Sequence, residues 1–125
     1  RQMCIRDRYV DSIHQQIMFA EKSWGSFRVL DVEDASMTIK ITLTPGHGMN
    51  YHSHENRDEV WTVISGTGHA ILDGVRRDVK AGDILTMPAG CRHTVFADSE
   101  LKIIEVQLGP AISVEDKQKY PLPQA

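Results

Sequence analysis

The sequence has little of what marks secreted, membrane-spanning or nucleic-acid-binding chains. Two of its 125 residues are cysteine, Cys4 and Cys91, which are too few for a disulfide framework. No apolar run approaches the roughly 20 residues that a membrane-spanning helix needs, and no signal peptide is recognisable. The net charge is −3 with the signs interspersed, so neither nucleic acid nor a membrane is an expected partner. These absences predict a cytoplasmic protein.

The chain is long enough for one domain with a single core. Its first eight residues, RQMCIRDR, fit neither a strand nor an amphipathic helix, and we interpret residues 1–8 as a non-native or disordered segment. In residues 9–25, Ile13, Ile17 and Ala20 fall at helical spacing, which predicts a short N-terminal arm or helix.

Residues 26–109 show the pattern of an all-β sandwich or barrel. Met37, Ile39, Ile41 and Leu43 alternate with polar residues, as in a half-buried strand. Further short β-rich runs follow, and the Asp73-Gly74 pair predicts a hairpin turn between two of them. Residues 110–125, which contain two prolines, are interpreted as a solvated C-terminal tail.

Ionisable residues are concentrated between two of these runs. His52 and His54 are two residues apart, so on an extended segment their imidazoles point to the same side and can share a metal ion. Glu59 begins the next predicted strand and can reach the same point. His93 is a fourth candidate ligand, delivered from a distant part of the chain if the β-barrel closes. The residues therefore predict a metal site.

The spacing of these residues resembles that of the cupin superfamily. Five residues separate Gly46 from His52, one separates His52 from His54, four separate His54 from Glu59 and six separate Glu59 from Gly66. A second motif runs from Gly82 through Pro88-Ala89-Gly90 to His93. The resemblance to a single-domain cupin of type 2 implies a double-stranded β-helix, or jelly-roll barrel. It also implies a divalent metal ion held by His52, His54, Glu59 and His93. Ala97 stands where cupins usually have Asn, at a structural position.

Three imidazoles and one carboxylate leave coordination positions open for a substrate, which is typical of a catalytic metal site. This ligand set suits Zn, Mn, Fe, Ni or Co and does not choose among them.

A narrower resemblance is carried by the segments EKSWGSFRVLD, NRDEVWTVISGTG, MPAGCRHTV and IIEVQLG. They are similar to the C-terminal isomerase domain of type II mannose-6-phosphate isomerases, often fused to a mannose-1-phosphate guanylyltransferase. The resemblance implies a sugar-phosphate isomerase. Two positions depart from that family, because it usually has Gln at the position of His52 and His at the position of Val60. No glycine-rich nucleotide-binding segment occurs in the sequence, so guanylyltransferase activity is not expected of these residues.

An isomerase needs a Lewis acid, a base and a cation for the phosphate. Arg57 matches the family's motif arginine and can hold a phosphate or stabilise an enediolate; the alternative is a surface arginine at a strand start. Trp61 can stack on a sugar ring or belong to the core. Glu105 is a candidate base if its side chain faces inward. Weaker candidates for the phosphate-binding cation are Lys40, Arg92 and Lys102.

Two other functions remain open at this stage. The same ligands with Fe, Mn or Ni serve cupin dioxygenases, which an apolar pocket around Met37, Met49, Val63 and Met87 would favour. A non-catalytic cupin that binds a sugar or metabolite is the third hypothesis. Because cupins form two-fold dimers through outer strands, we also expect a homodimer.

Overall fold

The computed structural model describes residues 18–113 and 115–123. Within these ranges the chain forms eleven strands and no helix, so the prediction of an all-β fold is confirmed. The described residues also contain no helix of the length and hydropathy that a membrane span requires. The strands are β1 (Phe19–Lys22), β2 (Gly25–Val32), β3 (Ser36–Leu43), β4 (Tyr51–Ser53), β5 (Asp58–Ser65), β6 (Thr67–Leu72), β7 (Val75–Lys80), β8 (Ile84–Met87), β9 (His93–Ala97), β10 (Leu101–Leu108) and β11 (Gln118–Tyr120).

Two antiparallel sheets enclose one core. The first has the order β1-β2-β3-β10-β5-β8 and the second has the order β11-β4-β9-β6-β7. Buried side chains from both sheets, among them Leu43 and Ile103 from the first and Ala70 and Val95 from the second, belong to a single hydrophobic cluster. The sheets therefore pack face to face, as a jelly roll requires.

The alternating pattern of β3 places its apolar residues inward as predicted. Ile39, Ile41 and Leu43 are buried, while the residues between them are only partly covered. The predicted hairpin joins β6 to β7 through Asp73 and Gly74, whose φ angles are 47° and 83°. Positive φ at both central residues matches the right-handed twist of the flanking strands.

The sequence of β10, LKIIEVQL, has apolar residues at both odd and even positions, so it does not predict which face of the strand is buried. The register of β10 in the sheet determines this face. Ile103, Glu105 and Gln107 are buried, whereas Ile104 and Val106 are only partly covered on the outer face. Glu105 lies opposite Trp61 and Gln107 lies opposite Glu59 on the neighbouring β5. Two polar side chains of β10 are thereby turned towards the residues of the predicted metal site.

Strands lie near both ends of the described residues, where the sequence predicted a short arm or helix and a solvated tail. The C-terminal segment is not simply a solvated tail, since β11 pairs with β4. Ala20 lies in a strand rather than a helix, because β1 pairs with β2 over Phe19–Lys22. Residues 1–8, Ile13 and Ile17 lie outside the described residues.

Candidate metal centre

The three predicted histidine ligands meet where β4 and β9 pair. His52 lies opposite His93 in the register of these strands, and His54 follows β4 directly. One ring nitrogen from each histidine lies within 4.8 Å of the other two. All three side chains are buried. The long-range approach of His93, which the spacing alone could not establish, is therefore present in the fold.

A hydrogen bond to the backbone orients each imidazole. Nδ1 of His52 lies 2.6 Å from the Asn50 carbonyl oxygen, and Nδ1 of His93 lies 2.9 Å from that of Cys91. Nδ1 of His54 lies 2.6 Å from the carbonyl oxygen of Asp116. Because a carbonyl oxygen only accepts, each Nδ1 must be the donor. In a neutral ring Nε2 then carries the free lone pair, which is the tautomer that a metal ligand needs.

Burial favours the neutral forms of His52 and His54. Burial, followed by the charge of His93, lowers the pKa of His52 to about 3. Burial is also the main cause of the lowered pKa of His54. The Nε2 atom of His93 is buried without a hydrogen-bond partner among the described residues. A buried lone pair without a donor is costly in a folded protein, and a metal cation would satisfy it.

Glu59 completes the group from β5. Its carboxylate oxygens lie 3.2 Å from Nε2 of His54 and 3.3 Å from Nε2 of His93, and its side chain is 2% exposed. Burial by itself raises the pKa of Glu59, but the contact with His93 and the charges of His54 and Arg57 lower it to about 2. If His93 is neutral, its lone pair faces a carboxylate. A proton or a metal cation between the two atoms would remove that repulsion, so these residues fit a divalent ion.

Arg57 lies against the same group. Its Nε donates to Glu59 at 2.9 Å, its Nη2 lies 3.0 Å from Nε2 of His54, and its Nη1 donates to the carbonyl oxygen of Ser113 at 3.1 Å. The guanidinium is therefore engaged inside the centre rather than on the surface. The single lone pair on Nε2 of His54 cannot accept a hydrogen bond from Arg57 and coordinate a metal ion at the same time. Coordination by His54 therefore requires Arg57 to release this contact.

Trp61 contacts two of the proposed ligands, Glu59 and His93. Its Nε1 donates to Glu59 at 3.2 Å, and its ring meets the His93 ring edge-on at a centroid distance of 5.5 Å. At 1% exposure the indole has almost no free surface for a sugar ring. Its position favours anchoring of Glu59 over stacking on a substrate.

Glu105 is buried on β10, opposite Trp61 of β5. It accepts a 2.5 Å hydrogen bond from the Gln107 amide. Burial, followed by the negative charge of Glu59, raises the pKa of Glu105 to about 8. Glu105 is therefore mostly protonated at neutral pH, and in this state it can donate a proton but cannot accept one as a base.

The other cations considered from the sequence lie elsewhere. Lys40 projects from the outer face of β3, because the residues on either side of it are buried. Arg92 stacks on the Tyr120 ring at 3.9 Å from its centroid. Lys102 lies 3.7 Å from Glu100. These positions do not favour any of the three as a phosphate-binding residue of the centre.

The expected apolar pocket is largely core. Val63 and Met87 are each 1% exposed, and Met37 and Met49 pack against the same hydrophobic cluster. These side chains stabilise the barrel, and their burial does not favour the dioxygenase hypothesis.

Sequence reasoning missed the contribution of Ser113 and residues 115–120, here called the C-terminal strap. Asp116 orients His54 through its backbone carbonyl. Its carboxylate also accepts hydrogen bonds from the backbone N–H groups of Glu55 at 2.9 Å and Asn56 at 2.8 Å. Asp116 thus holds both His54 and the loop that leads to Glu59. No local spacing signals these contacts, because they join residues about 60 positions apart.

The aromatic end of the strap fixes it to β4. The hydroxyl groups of Tyr120 and Ser53 are 2.8 Å apart, and the rings of Tyr120 and Tyr51 meet at a centroid distance of 6.2 Å. These contacts lie on the face of β4 opposite to His52. They hold the strap in place without entering the metal centre.

Comparison with known families agrees with this geometry. A model of the cupin domain matches residues 39–107, which is more than half of the chain and includes all four predicted ligands. The chain is a cupin. The C-terminal strap lies beyond the matched residues, so this cupin uses a segment outside the family pattern to orient His54.

Two curated relatives bear out the narrower resemblance at low identity. The alginate biosynthesis protein AlgA of Pseudomonas putida is 27% identical over 101 residues, which cover 79% of this cupin and 21% of that protein. A mannose-1-phosphate guanylyltransferase of Klebsiella pneumoniae is 24% identical over 97 residues, which cover 76% of this cupin and 21% of that protein. The chain thus spans about a fifth of the length of these relatives.

Among solved structures, a Streptomyces PAC13 variant with uridine matches this cupin with a TM-score of 0.71 at 18% identity. The match covers 88% of this chain and 89% of that one. At such low identity the likeness establishes the fold alone.

Asp116→Ala should weaken metal binding. The substitution removes the acceptor for two loop N–H groups and loosens the carbonyl that orients His54, and loss of an outer-shell partner typically costs about 10- to 100-fold in metal affinity. Zinc affinity measured by competition with a chelator should fall by about tenfold or more. Glu115→Ala removes a neighbouring exposed carboxylate and is the matched control. Equal affinities of the two variants would contradict the assigned role of Asp116.

Glu105→Gln should change how stability depends on pH. The pKa of Glu105 is about 8 in the folded protein and near 4.3 when unfolded, so the folded state holds a proton that the unfolded state releases. This contribution to stability is full below the unfolded pKa and is lost as pH rises through the folded pKa. As pH rises between these two values, the native protein should therefore lose stability that Glu105→Gln keeps. The free energy of unfolding of the variant should rise relative to that of the native protein by up to about 1.4 kcal/mol for each pH unit.

Urea unfolding at several pH values between about 5 and 8.5 measures this dependence. Glu100→Gln, at an exposed carboxylate, should track the native protein. Parallel pH profiles of Glu105→Gln and the native protein would show that Glu105 is ionised in the folded state.

Proposed function

We propose that this cupin binds one divalent metal ion through His52, His54, Glu59 and His93 and acts as a mannose-6-phosphate isomerase-like enzyme on a sugar or sugar phosphate. The observation that carries the metal site is the convergence of three Nδ1-anchored imidazoles beside a buried carboxylate. The substrate class is supported by the motif resemblance and by the relatives, one of which is a mannose-1-phosphate guanylyltransferase. A cytoplasmic location stays a prediction.

The chemistry fits the residues around the ligands. A bound divalent ion would act as a Lewis acid on the carbonyl and hydroxyl oxygens of the substrate. Arg57, once it has released His54, can place its donors on a substrate oxygen that gains negative charge. Trp61 holds Glu59 in position, and Glu105 keeps a proton in the buried layer behind them. His52 and Val60, which differ from the isomerase family's usual residues, leave room for a substrate other than mannose 6-phosphate.

Proton NMR in heavy water tests the activity. The protein is loaded separately with Zn, Mn, Fe, Co or Ni and incubated with mannose 6-phosphate or fructose 6-phosphate. We expect interconversion with at least one metal, and deuterium uptake at C2 would report a base that exchanges with solvent. His93→Ala should reduce the rate by more than the roughly 10- to 100-fold that loss of an outer-shell partner costs.

His47→Ala is the matched control, since His47 is exposed and lies outside the centre. Unchanged rates in His93→Ala would contradict the assigned centre. If none of the five metals supports interconversion, mannose-6-phosphate isomerisation is ruled out. Oxygen consumption would then separate the dioxygenase alternative from a non-catalytic, ligand-binding cupin.

We also propose a homodimer through the outer face of the first sheet. Ile64 on β5, Ile84 on β8 and Leu108 on β10 project from that face and are 43%, 59% and 43% exposed. Ile84 lies opposite Thr62 and therefore close to Ile64, while Ile104, Val106 and Leu108 continue this outer face along β10 towards the other end of β5. A second copy of the chain would cover this apolar face by two-fold symmetry.

Ile64→Lys combined with Ile84→Lys should produce a monomer, because each change places a charge in the proposed interface. Light scattering coupled to gel filtration should give about twice the chain mass of 14.1 kDa for the native protein and the single mass for the variant. Val75→Lys alters a residue on β7 that is 68% exposed and should leave the dimer intact. A monomeric native protein would refute this interface.

A further inference from the structure

Strand β11 places positive charge beside the metal centre. Lys119 lies directly opposite His52 in the pairing of β11 with β4. Opposed residues of an antiparallel pair project from the same face of a sheet. Lys119 therefore lies on the face that presents the histidines, while its neighbour Tyr120 lies on the other face with Tyr51.

Lys117 adds a second charge immediately before β11. Its positive charge contributes, after burial and the charge of His93, to the lowered pKa of His52. Burial lowers the pKa of Lys117, and the negative charge of Glu59 partly opposes this change. The two relations place the ammonium group within electrostatic reach of the ligands.

A third cation comes from the other sheet. Burial lowers the pKa of Lys117, and the positive charges of Lys119, Lys22 and Arg57 lower it further. Lys22 ends β1, with its Nζ 5.8 Å from the centre of the Phe27 ring. β1 and β11 are edge strands of different sheets, so both sheets contribute to this group of lysines.

These lysines have little acidic compensation. Between the described residues, no ion pair joins Lys22, Lys117 or Lys119 to a carboxylate within 4.0 Å. The nearby carboxylate of Asp116 already accepts two backbone N–H groups. Clustered like charges repel one another, and an anion that binds among them relieves this repulsion.

We propose that Lys117, flanked by Lys22 and Lys119, binds the phosphate dianion of the substrate beside the metal centre. This inference rests on the proposed function and deepens it by naming the substrate class, a phosphate monoester. It also separates two roles that sequence reasoning gave to one residue. The Arg57 guanidinium acts at the metal ligands, and the lysines of the two edge strands hold the phosphate.

Isothermal titration calorimetry with inorganic phosphate, mannose 6-phosphate and mannose tests the site. Both the metal-loaded and the chelator-treated protein are used, so that anion binding is measured without turnover. We expect Lys117→Gln to bind both phosphates about tenfold more weakly, which corresponds to about 1.4 kcal/mol. Added salt should weaken phosphate binding by the native protein. The affinity for mannose, which carries no phosphate, should not change.

Lys102→Gln is the matched control, because it removes the same charge from a lysine that pairs with Glu100. Lys117→Arg should retain phosphate binding. The inference is overturned if Lys117→Gln and Lys102→Gln bind phosphate equally well, or if the native protein binds no phosphate. Phosphate binding that depends on Lys117 without isomerisation would uphold this site and remove the isomerase proposal alone.

Discussion

Three hydrogen bonds from imidazole Nδ1 atoms to backbone carbonyl oxygens determine what this cupin can do. The carbonyls belong to Asn50, Cys91 and Asp116, and therefore to three separate parts of the chain. Each bond fixes both the orientation of a ring and the position of its proton. With the protons on Nδ1, the lone pairs on Nε2 converge in a buried volume beside a carboxylate. Such an arrangement is electrostatically unfavourable by itself and becomes favourable when a cation is bound.

The barrel supports this polar centre with a rigid apolar core. β10 contributes Ile103 to the hydrophobic cluster and Glu105 to the layer behind the ligands, two residues apart on one face. Trp61 joins the two regions, because its ring lies in the core while its Nε1 holds Glu59. The stability of the packed sheets thus offsets the cost of burying several ionisable groups together. A buried carboxyl such as Glu105 escapes much of that cost by remaining protonated.

The parts of the centre that were predictable from the sequence follow from local periodicity. His52 and His54 share a face because successive strand residues alternate, and Glu59 follows within a few positions. His93 was predicted through the second motif, and its pairing with His52 depends on the sheet closing as cupin sheets do. Arg57 was predicted either as a residue of the site or as a surface arginine, and its local sequence could not decide between the two positions.

The C-terminal strap could not be predicted for a different reason. Its residues have no periodic pattern, and Pro121 and Pro123 gave the segment the appearance of a solvated tail. β11 has only three residues, too few for a recognisable alternation. Its contacts with β4 and with the loop after it exist only once the barrel has formed. The position of a short segment with weak local preference is determined by tertiary contacts, and these cannot be inferred from the neighbouring residues in the sequence.

Charge links the metal centre to the lysines beside it. Glu59 supplies one negative charge, and Arg57 already balances it, so a divalent ion would give the buried group a clear positive excess. Lys117 would then face a stronger repulsion than in the metal-free protein, and an anion bound beside Lys117 would relieve that repulsion. Because coupling between two sites is reciprocal, a phosphate that stabilises the loaded metal centre must itself bind more tightly when the metal is present. The same lysines that oppose metal binding in the free protein would favour it once a phosphorylated substrate is bound, which ties occupancy of the centre to the presence of that substrate.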